Sequence, residues 1–441
     1  MRIEFFVYIC GANTIPAHAM SDIVPIPSVK RFDLNKEPIP VKWYLRPITW
    51  LISFPIFWLH RSKIKRIGME GLKAPYIQLC NHNAFYDFMV ATVATFPHQA
   101  YYIVAVDGFI GRERLMRGIG CIGKRKFTND ISIIRHMKKV LDRGKIASFY
   151  PEARYSLCGT NAVLPESLGK MIKVFKVPVT TLITHGHHID APFWKGVNPH
   201  IRFLRTTSEQ KLILTVEDIE RMSVDEINAK INEEFKYDDF QWQKENHIRI
   251  RSKKRAEGLD HVLYKCPHCG TEYRMSSEGA HLFCKHCGHK WEMSEYGELY
   301  AEEGETYFSH IPSWYEWQRE CVKKEIEEDK YFLNVPCKIK SLPNTKGFIN
   351  VGEGILEHNK DGFELKSSWN GADWELKVPT SSLYSVHIEY NYKVEHRDCI
   401  DLSTLKDTFF IYPKGEDFSV TKISLATEEL FKHFWEQKQD H

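Results

Sequence analysis

The chain has 441 residues, a formal net charge of +3 at pH 7, and a composition that is 43% hydrophobic and 27% charged. This length exceeds what one hydrophobic core usually organises, so two or three domains are expected. The composition excludes a fibrous or low-complexity protein, and so small a net charge gives no support to a nucleic-acid partner. Cysteines outside two paired motifs are scattered, which indicates reduced thiols and a cytoplasmic protein.

The N-terminal part combines an extension with an aromatic, hydrophobic segment. Residues 1–40 are predicted to be an extension, with Met20 as an alternative start. Pro47–His60 is free of acidic and basic residues, but it is shorter than the roughly 20 residues that cross a bilayer. Its tryptophans and the basic cluster Arg61–Arg66 are typical of a helix in a membrane interface. We therefore expect peripheral association with the inner face of the cell membrane; a helix packed on its own domain is the alternative.

Residues 41–245 alternate short apolar runs with amphipathic stretches. YIQLC, AYYIVAV, KIASFY and VPVTTLI indicate buried strands, while AFYDFMVATVATF and DISIIRHMKKVLDRG indicate helices. Ser223 and Glu226 form a capping-box pattern at the start of a last helix. This alternation predicts an α/β domain with a largely parallel sheet. The basic stretch that follows, residues 246–261, is predicted to be a linker.

Two CxxC pairs occur in residues 262–295. They are Cys266 with Cys269 and Cys284 with Cys287, and each pair is followed by a glycine. Four thiolates in two such turns make a closed tetrahedral site for Zn²⁺, which predicts a structural zinc ribbon; a pair of redox dithiols is the competing interpretation. A ribbon next to a basic segment can also bind nucleic acid. Acidic residues within the ribbon make that function the less favoured alternative.

The remaining chain is predicted to be a helical connector, residues 296–334, and a β-rich domain, residues 335–441. Segments such as GFELKSSW, DWELKVP and TFFIYP are separated by turn signals, and the amphipathic stretch SLATEELFKHFWEQ ends the chain. We expect a mainly antiparallel β domain closed by a C-terminal helix. This order of elements resembles the pleckstrin-homology-like barrel, which implies a lipid-binding, protein-binding or packing module.

The segment QLCNHNAFYDF, residues 78–88, places His82 five positions before Asp87. Five residues of a straight helix turn about 500°, so two residues within one helix would not face each other. They can meet if His82 lies in the loop after a strand and Asp87 in the first turn of the next helix, and the asparagines around His82 suit such a loop. Asp87 would then accept from His82 Nδ1 and leave Nε2 free as a base. Polar residues that only mark the strand end are the alternative.

Four blocks of sequence point to one family. NHNAFYD resembles the NHxxxxD block of the glycerolipid acyltransferases, the family of lysophosphatidic acid acyltransferase, and GIGCIGKRKF, SFYPEARYS and KVPVTTL resemble its three further blocks, in the same order. The resemblance spans residues 45–235 approximately. It implies a glycerolipid acyltransferase-like αβ domain. The implied reaction moves a fatty acyl chain from acyl-CoA or acyl-carrier protein to the hydroxyl of a lysophospholipid such as 1-acylglycerol-3-phosphate.

The same resemblance assigns roles to residues of this chain. His82 would be the general base that deprotonates the acceptor hydroxyl, and Asp87 would orient it. Residues of the second and third blocks would bind the acceptor and its phosphate: Arg125, Lys126, Glu152 and Arg154. The blocks depart from the family pattern, because Lys126 stands at the position of the arginine in the second block and Arg154 lies one position early in the third. These departures keep open a lipid-binding or membrane-tethering adaptor of little or no activity.

Two further features are predicted to have no catalytic role. HGHHID, His185–Asp190, contains metal-ligand residue types without the spacing of an open three-ligand site, and it is predicted to be a polar loop that lines the cleft. Cys80 is predicted to be a buried strand residue rather than a nucleophile.

Overall fold

The computed structural model describes residues 29–196, 201–392 and 394–439. Most of the predicted N-terminal extension, including Met20, lies outside these ranges. The helices are α1 Arg46–Leu59, α2 Asp87–Ala94, α3 Glu113–Gly118, α4 Ile131–Asp142, α5 Ser167–Phe175, α6 His187–Asp190, α7 Val216–Arg221, α8 Val224–Glu234, α9 Asp239–Glu245, α10 Leu259–Val262, α11 Ile311–Glu327 and α12 Val420–Gln439.

Strands β1–β7 belong to the first domain, β8–β11 to the ribbon and β12–β18 to the C-terminal domain. They are β1 Lys63–Ile67, β2 Ile77–Cys80, β3 Ala100–Ala105, β4 Cys121–Lys124, β5 Ile146–Phe149, β6 Val179–His185, β7 Thr207–Leu214, β8 Met275–Glu278, β9 His281–Cys284, β10 Lys290–Met293, β11 Leu299–Ala301, β12 Leu333–Leu342, β13 Ile349–Asn359, β14 Gly362–Trp369, β15 Ala372–Pro379, β16 His387–Tyr392, β17 Arg397–Ser403 and β18 Thr408–Pro413.

The first domain is built on a seven-stranded sheet of order β1-β7-β6-β2-β5-β3-β4. The five strands from β6 to β4 run parallel, and β7 pairs antiparallel with β6. Side chains of β2 alternate between two cores, since Ile77 and Leu79 pack in one cluster and Cys80 in the cluster on the opposite face. A parallel sheet that is buried on both faces is the reason that these strands read as continuous apolar runs. The predicted α/β domain with a largely parallel sheet is confirmed.

Helix ends in this domain follow local sequence signals. The side chain of Asp130 accepts from the backbone N–H of Ser132 at the start of α4, and Gly144 follows this helix with φ +66°. At the start of α8, Ser223 and Glu226 form the predicted capping box. These caps satisfy backbone groups that the helix itself leaves unpaired.

Helix α1 occupies the segment for which the sequence predicts an interfacial helix. It buries the small polar residues Thr49 and Ser53 and packs against α2. Leu51 and Trp58 on its other side are 73% and 66% exposed. Among the described residues, no helix is both long enough and apolar enough to cross a bilayer.

The ribbon is a four-stranded antiparallel sheet of order β11-β10-β9-β8. Strand β11 extends it into the stretch that was predicted to be only a helical connector, and α11 forms the helix of that connector. The basic stretch before the ribbon is not a free linker, because Ile250 and Ala256 are fully buried and belong to the core that also contains Leu282 and Trp291 of the ribbon. Apolar residues that interrupt the basic run explain this difference.

The C-terminal domain is a seven-stranded antiparallel sheet of order β15-β14-β13-β12-β18-β17-β16, followed by α12. The predicted antiparallel domain with a C-terminal helix is therefore confirmed. Its core is continuous with that of the first domain, since Tyr392 and Phe410 pack in the same cluster as Phe32, Tyr102 and Phe109. The domains consequently share hydrophobic cores and act as one packed unit.

Candidate functional site

His82 and Asp87 contact each other in the connection between strand β2 and helix α2. Asp87 is the first residue of α2, and His82 lies in the loop before it. His82 Nδ1 is 3.0 Å from Asp87 Oδ2. The predicted contact is present because the loop lets the histidine fold back over the first turn of the helix, which two positions inside a straight helix do not allow.

The carboxylate of Asp87 is held by three further contacts. The backbone N–H groups of Asn83 and Ala84 donate to Oδ2 at 2.6 and 2.9 Å, and His187 Nδ1 lies 2.5 Å from Oδ1. Burial would raise the pKa of Asp87, but hydrogen bonds from His187 and His82 lower it to about 2. Asp87 is therefore an ionised acceptor that fixes His82 with its proton on Nδ1 and leaves Nε2 as the basic nitrogen.

Two tyrosines pack against the imidazole of His82. The ring centroids of Tyr150 and Tyr155 lie 4.2 and 4.0 Å from that of His82. With Nδ1 engaged by Asp87, Nε2 has no hydrogen-bond partner among the described residues, and 21% of the side chain is exposed. The ring is thus held in one orientation while one nitrogen stays accessible, which is the arrangement that a general base requires.

Glu152 holds the backbone of His82 through a hydrogen bond. Its two carboxylate oxygens accept from the backbone N–H groups of His82 and Ala162, each at 2.8 Å. Burial raises the pKa of Glu152 to about 7, although these two hydrogen bonds oppose the shift. Its side chain is buried and does not line the cavity described below. The structure corrects the expectation that Glu152 contacts the acceptor, because its carboxylate instead holds the backbone of the loop that carries His82.

A cavity of about 690 Å³ opens beside His82. Most of its wall is apolar and comes from α1, α2, β3, α4 and α5 of the first domain. One side is formed by the C-terminal domain, through residues that include Tyr384, His387 and Glu389. An apolar cavity of this volume, with a few polar groups near His82, is suited to a ligand with an apolar chain.

Lys126 and Arg154 line this cavity, but acidic residues of the C-terminal domain neutralise both. Lys126 Nζ lies 3.1 Å from Asp401 Oδ2, and Arg154 Nη2 lies 2.8 Å from Glu428 Oε1. These partners stand on β17 and α12, far away along the chain. This end of the cavity is therefore formed by both domains, a property that the first domain's own sequence does not reveal.

Arg125 does not reach the cavity, which corrects the prediction that it binds the acceptor. Its guanidinium points into the domain interface and donates to the carbonyl oxygens of Leu342, Pro343 and Lys406 and to Thr408 Oγ1, at 2.6 to 2.9 Å. The side chain is only 1% exposed, and burial lowers its pKa to about 10. Arg125 and Lys126 follow directly after β4, which ends at Lys124, and in this turn their side chains go to different partners. Arg125 anchors the C-terminal domain, while Lys126 faces the cavity.

The substitution Arg125→Ala is expected to lower the free energy of unfolding by about 3 kcal/mol or more, since it leaves several buried carbonyl oxygens without donors. Chemical denaturation monitored by tryptophan fluorescence measures this loss. Arg114, an exposed arginine on α3, provides the matched control Arg114→Ala, which should stay within about 0.5 kcal/mol of the wild type. Equal stability of the two variants would contradict the anchoring role.

The segment HGHHID is buried and contacts Asp87. It is not the polar loop lining the cleft that the sequence predicted. His187 and His188 are fully buried, and His187 contacts Asp87. In the same segment Asp190 accepts from His60 Nε2 at 3.0 Å and from the hydroxyl of Tyr86 at 3.1 Å. The contribution of His187 was missed because the sequence does not show which strand ends lie side by side. Its position directly after strand β6 was the available signal, since β6 is the neighbour of β2.

Cys80 is a buried strand residue, as predicted. Its side chain is 1% exposed, and burial raises the pKa of its thiol to about 12. A thiol with so high a pKa supplies almost no thiolate at neutral pH, so it does not act as a nucleophile.

The four cysteines of the ribbon form a candidate metal centre. Their sulfur atoms all lie within 4.8 Å of one another. The two CxxC turns have the same backbone geometry: Gly270 and Gly288, at φ +74° and +76°, donate from their N–H groups to the carbonyl oxygens of Cys266 and Cys284. Glycine allows this left-handed conformation at no steric cost. Four thiols grouped in this way fit a tetrahedral metal ion such as Zn²⁺.

No protein-family model matches the chain, and no curated protein matches its sequence. Among solved structures, the chain is similar to the crystal structure of the 1-acyl-sn-glycerophosphate (LPA) acyltransferase from Thermotoga maritima, with 17% sequence identity and a TM-score of 0.33, over 44% of this chain and 77% of that chain. A TM-score this low does not establish a shared fold.

Proposed function

We propose that this protein is an acyltransferase that moves an acyl chain from a thioester, of coenzyme A or acyl-carrier protein, to the hydroxyl of an acceptor. The observation that carries the proposal is the His82–Asp87 pair, with Nδ1 of the histidine held at 3.0 Å and the ring at the wall of an apolar cavity. The four sequence blocks that resemble those of the glycerolipid acyltransferases support the same function.

His82 Nε2 takes the proton of the acceptor hydroxyl while the hydroxyl oxygen attacks the thioester carbonyl. The carbon–sulfur bond of the tetrahedral intermediate then breaks, and the thiol leaves with that proton. His82 returns to its neutral form, and no covalent acyl-enzyme is needed. Asp87 stabilises the imidazolium that exists between the two proton transfers.

The developing oxyanion needs a hydrogen-bond donor. The backbone N–H groups of His82, Asn83 and Ala84 already donate to Glu152 and Asp87, so they do not serve this purpose. Tyr150 is the better candidate, because its hydroxyl is buried without a partner among the described residues and its ring packs on His82. Burial raises the pKa of Tyr150 well above its ordinary value, which keeps the hydroxyl protonated as a donor.

Release of free thiol from acyl-CoA, measured with a panel of hydroxyl acceptors, tests this function. The panel includes the lysophospholipid that the sequence resemblance implies, and the His82→Ala variant is assayed beside the wild type. If both proteins release thiol equally slowly with every acceptor, the acyltransferase proposal fails and a lipid-binding adaptor takes its place.

We also propose that α1 docks the cavity mouth on a membrane. Ile48, Ile52, Phe85 and Leu115 are exposed and at the same time line the cavity, so its mouth is apolar and lies beside the outer face of α1. A lipid substrate can pass from a bilayer into the cavity at this point without crossing water. The cytoplasmic leaflet of the cell membrane is the proposed location.

The variant Leu51→Ser is expected to weaken binding to anionic vesicles by about tenfold, because one buried leucine side chain contributes about 1.5–3 kcal/mol. Flotation with vesicles measures the bound fraction. Leu405 is similarly exposed, at 54%, and lies in the C-terminal domain, so Leu405→Ser is the matched control and should float like the wild type. Equal flotation of Leu51→Ser would exclude α1 as the docking helix.

The ribbon and the C-terminal domain have proposed roles of their own. We propose that the four-cysteine group holds a structural Zn²⁺, and that the C-terminal domain is a pleckstrin-homology-like module, for which the strand order and the C-terminal helix are the support. Nucleic-acid binding is less favoured, since Arg249 and Arg255 of the basic stretch pair with Glu295 and Glu292 of the ribbon.

A further inference from the structure

The C-terminal domain determines the electrostatics of the acceptor end of the cavity. Lys126 Nζ is surrounded by three carboxylates: Asp401 at 3.1 Å, Asp107 at 3.6 Å and Glu389 at 4.0 Å. It is also 3.1 Å from His387 Nε2. One ammonium group balances one carboxylate, and Asp401 makes the shortest contact with it. His387 also lies 3.1 Å from Asp401 and 3.8 Å from Glu389. Even with this imidazole protonated, two cations face three carboxylates, so Asp107 and Glu389, which line the cavity, carry the surplus negative charge of the cluster.

Arg154 is neutralised in the same way. Glu428 on α12 accepts from Arg154 and from the hydroxyl of Ser385, each at 2.8 Å. Arg319 on α11 contacts both Glu428 and Glu429, at 2.8 and 3.0 Å. These side chains are buried or nearly so, so their charges are screened little by solvent or salt. The guanidinium is thus part of a balanced network and carries no net positive charge into the cavity.

This acidic cluster is electrostatically connected to the reacting residues. Tyr155 packs on His82 with a centroid separation of 4.0 Å, and it lines the same cavity as Asp107, Lys126 and Glu389. Burial and then the nearby Glu389 carboxylate raise the pKa of Tyr155. The field of the cluster therefore reaches the hydroxyl-binding end of the site.

From these contacts we infer that the acceptor is a hydroxyl compound whose polar end is neutral or carries an amine, and that a phosphate monoester is excluded. The inference rests on the proposed acyltransferase function. A phosphate dianion at this position would meet surplus carboxylates and cations that are already paired, and like charges placed together in a poorly solvated site oppose binding. A neutral polyol can hydrogen-bond to the same carboxylates, and an ammonium group would be attracted by them.

The test uses a matched pair of acceptors, 1-oleoylglycerol and 1-oleoylglycerol-3-phosphate, with a long-chain amino alcohol as a third probe. Binding of each to the full-length protein is measured by titration calorimetry below its critical micelle concentration, and acylation by thiol release. We expect the neutral and the amino compounds to bind about 10-fold or more tightly than the phosphate. Equal binding, or tighter binding of the phosphate, would overturn the inference.

Two variants test whether the surplus acids cause the preference for the neutral acceptor over the phosphate compound. Asp107→Asn and Glu389→Gln are each expected to improve binding of the phosphate compound about 10-fold relative to the neutral one. Asp107 is partly exposed, so the Asp107→Asn variant can still be tested if Glu389→Gln does not fold. Glu395, which pairs with Lys338 and Lys340 outside the cavity, supplies the control Glu395→Gln. Unchanged selectivity in both variants would remove these acids as its cause.

Binding and acylation separate this inference from the proposed function. If the neutral acceptor binds preferentially but no acceptor is acylated, the acyltransferase function fails and the charge preference of the cavity stands. If only the phosphate compound is acylated, the acyltransferase function stands and this inference is wrong.

Discussion

Replacing His82 with alanine is expected to lower the rate of acyl transfer by about 10²–10⁴-fold, the range that a positioned general base contributes. The effect should fall on kcat, since the imidazole acts on the proton that moves in the transition state and not on the bulk of either substrate. Steady-state thiol release with acyl-CoA and the best acceptor measures it. The fold should be unaffected, because the ring of His82 is partly exposed and makes one side-chain hydrogen bond.

A matched control separates loss of the base from loss of a histidine in general. His98 is exposed and lies in the loop after α2, so His98→Ala should retain wild-type activity. Asp87→Asn should also be nearly inactive, but in addition less stable, because Asp87 accepts from two backbone N–H groups and from two histidines. An active His82→Ala protein would contradict the proposed base; an inactive His98→Ala protein would mean that the assay reports general damage.

Removing metal from the ribbon is expected to produce the largest loss of stability. Structural Zn²⁺ contributes about 10–16 kcal/mol to the folding of isolated zinc-finger peptides. The loss here should be smaller but still several kcal/mol, because ribbon residues such as Leu282 and Trp291 are also held by the surrounding core. Titration with a chelator during thermal denaturation measures the loss, and elemental analysis should find one zinc ion per chain.

The double variant Cys269→Ser with Cys287→Ser should reproduce the effect of the chelator, since serine does not replace a thiolate ligand of zinc. Cys321 lies on α11 outside the four-cysteine group, and Cys321→Ser is the control. Trp291 of the ribbon packs on Trp314 of α11 at a ring distance of 4.9 Å, and Arg319 of this helix contacts Glu428. Metal loss should therefore lower activity as well. A protein without metal and with unchanged stability would contradict the zinc site.

The parts of this protein that were predicted correctly depend on residues close together in the chain. Strand and helix types in the first domain follow from the period of their apolar residues. The CxxC turns and their glycines determine where four thiols converge, and the loop between β2 and α2 determines that His82 meets Asp87. In each case a few neighbouring residues and standard backbone geometry are sufficient, because the contact closes within one turn or one hairpin.

Only the tertiary structure decided the partners of the charged residues that line the cavity. Lys126 meets Asp401, and Arg154 meets Glu428, across more than 270 positions of sequence. Sequence identifies charged residues, but long-range pairing depends on how separate sheets and helices pack, which local periodicity does not encode. Arg125 and Lys126 show this most directly: they are neighbours with similar charge, yet one anchors the C-terminal domain and the other faces the cavity. The sequence by itself determined the His82–Asp87 pair and the four-cysteine group, and the packing of the C-terminal domain decided the charge at that end of the cavity.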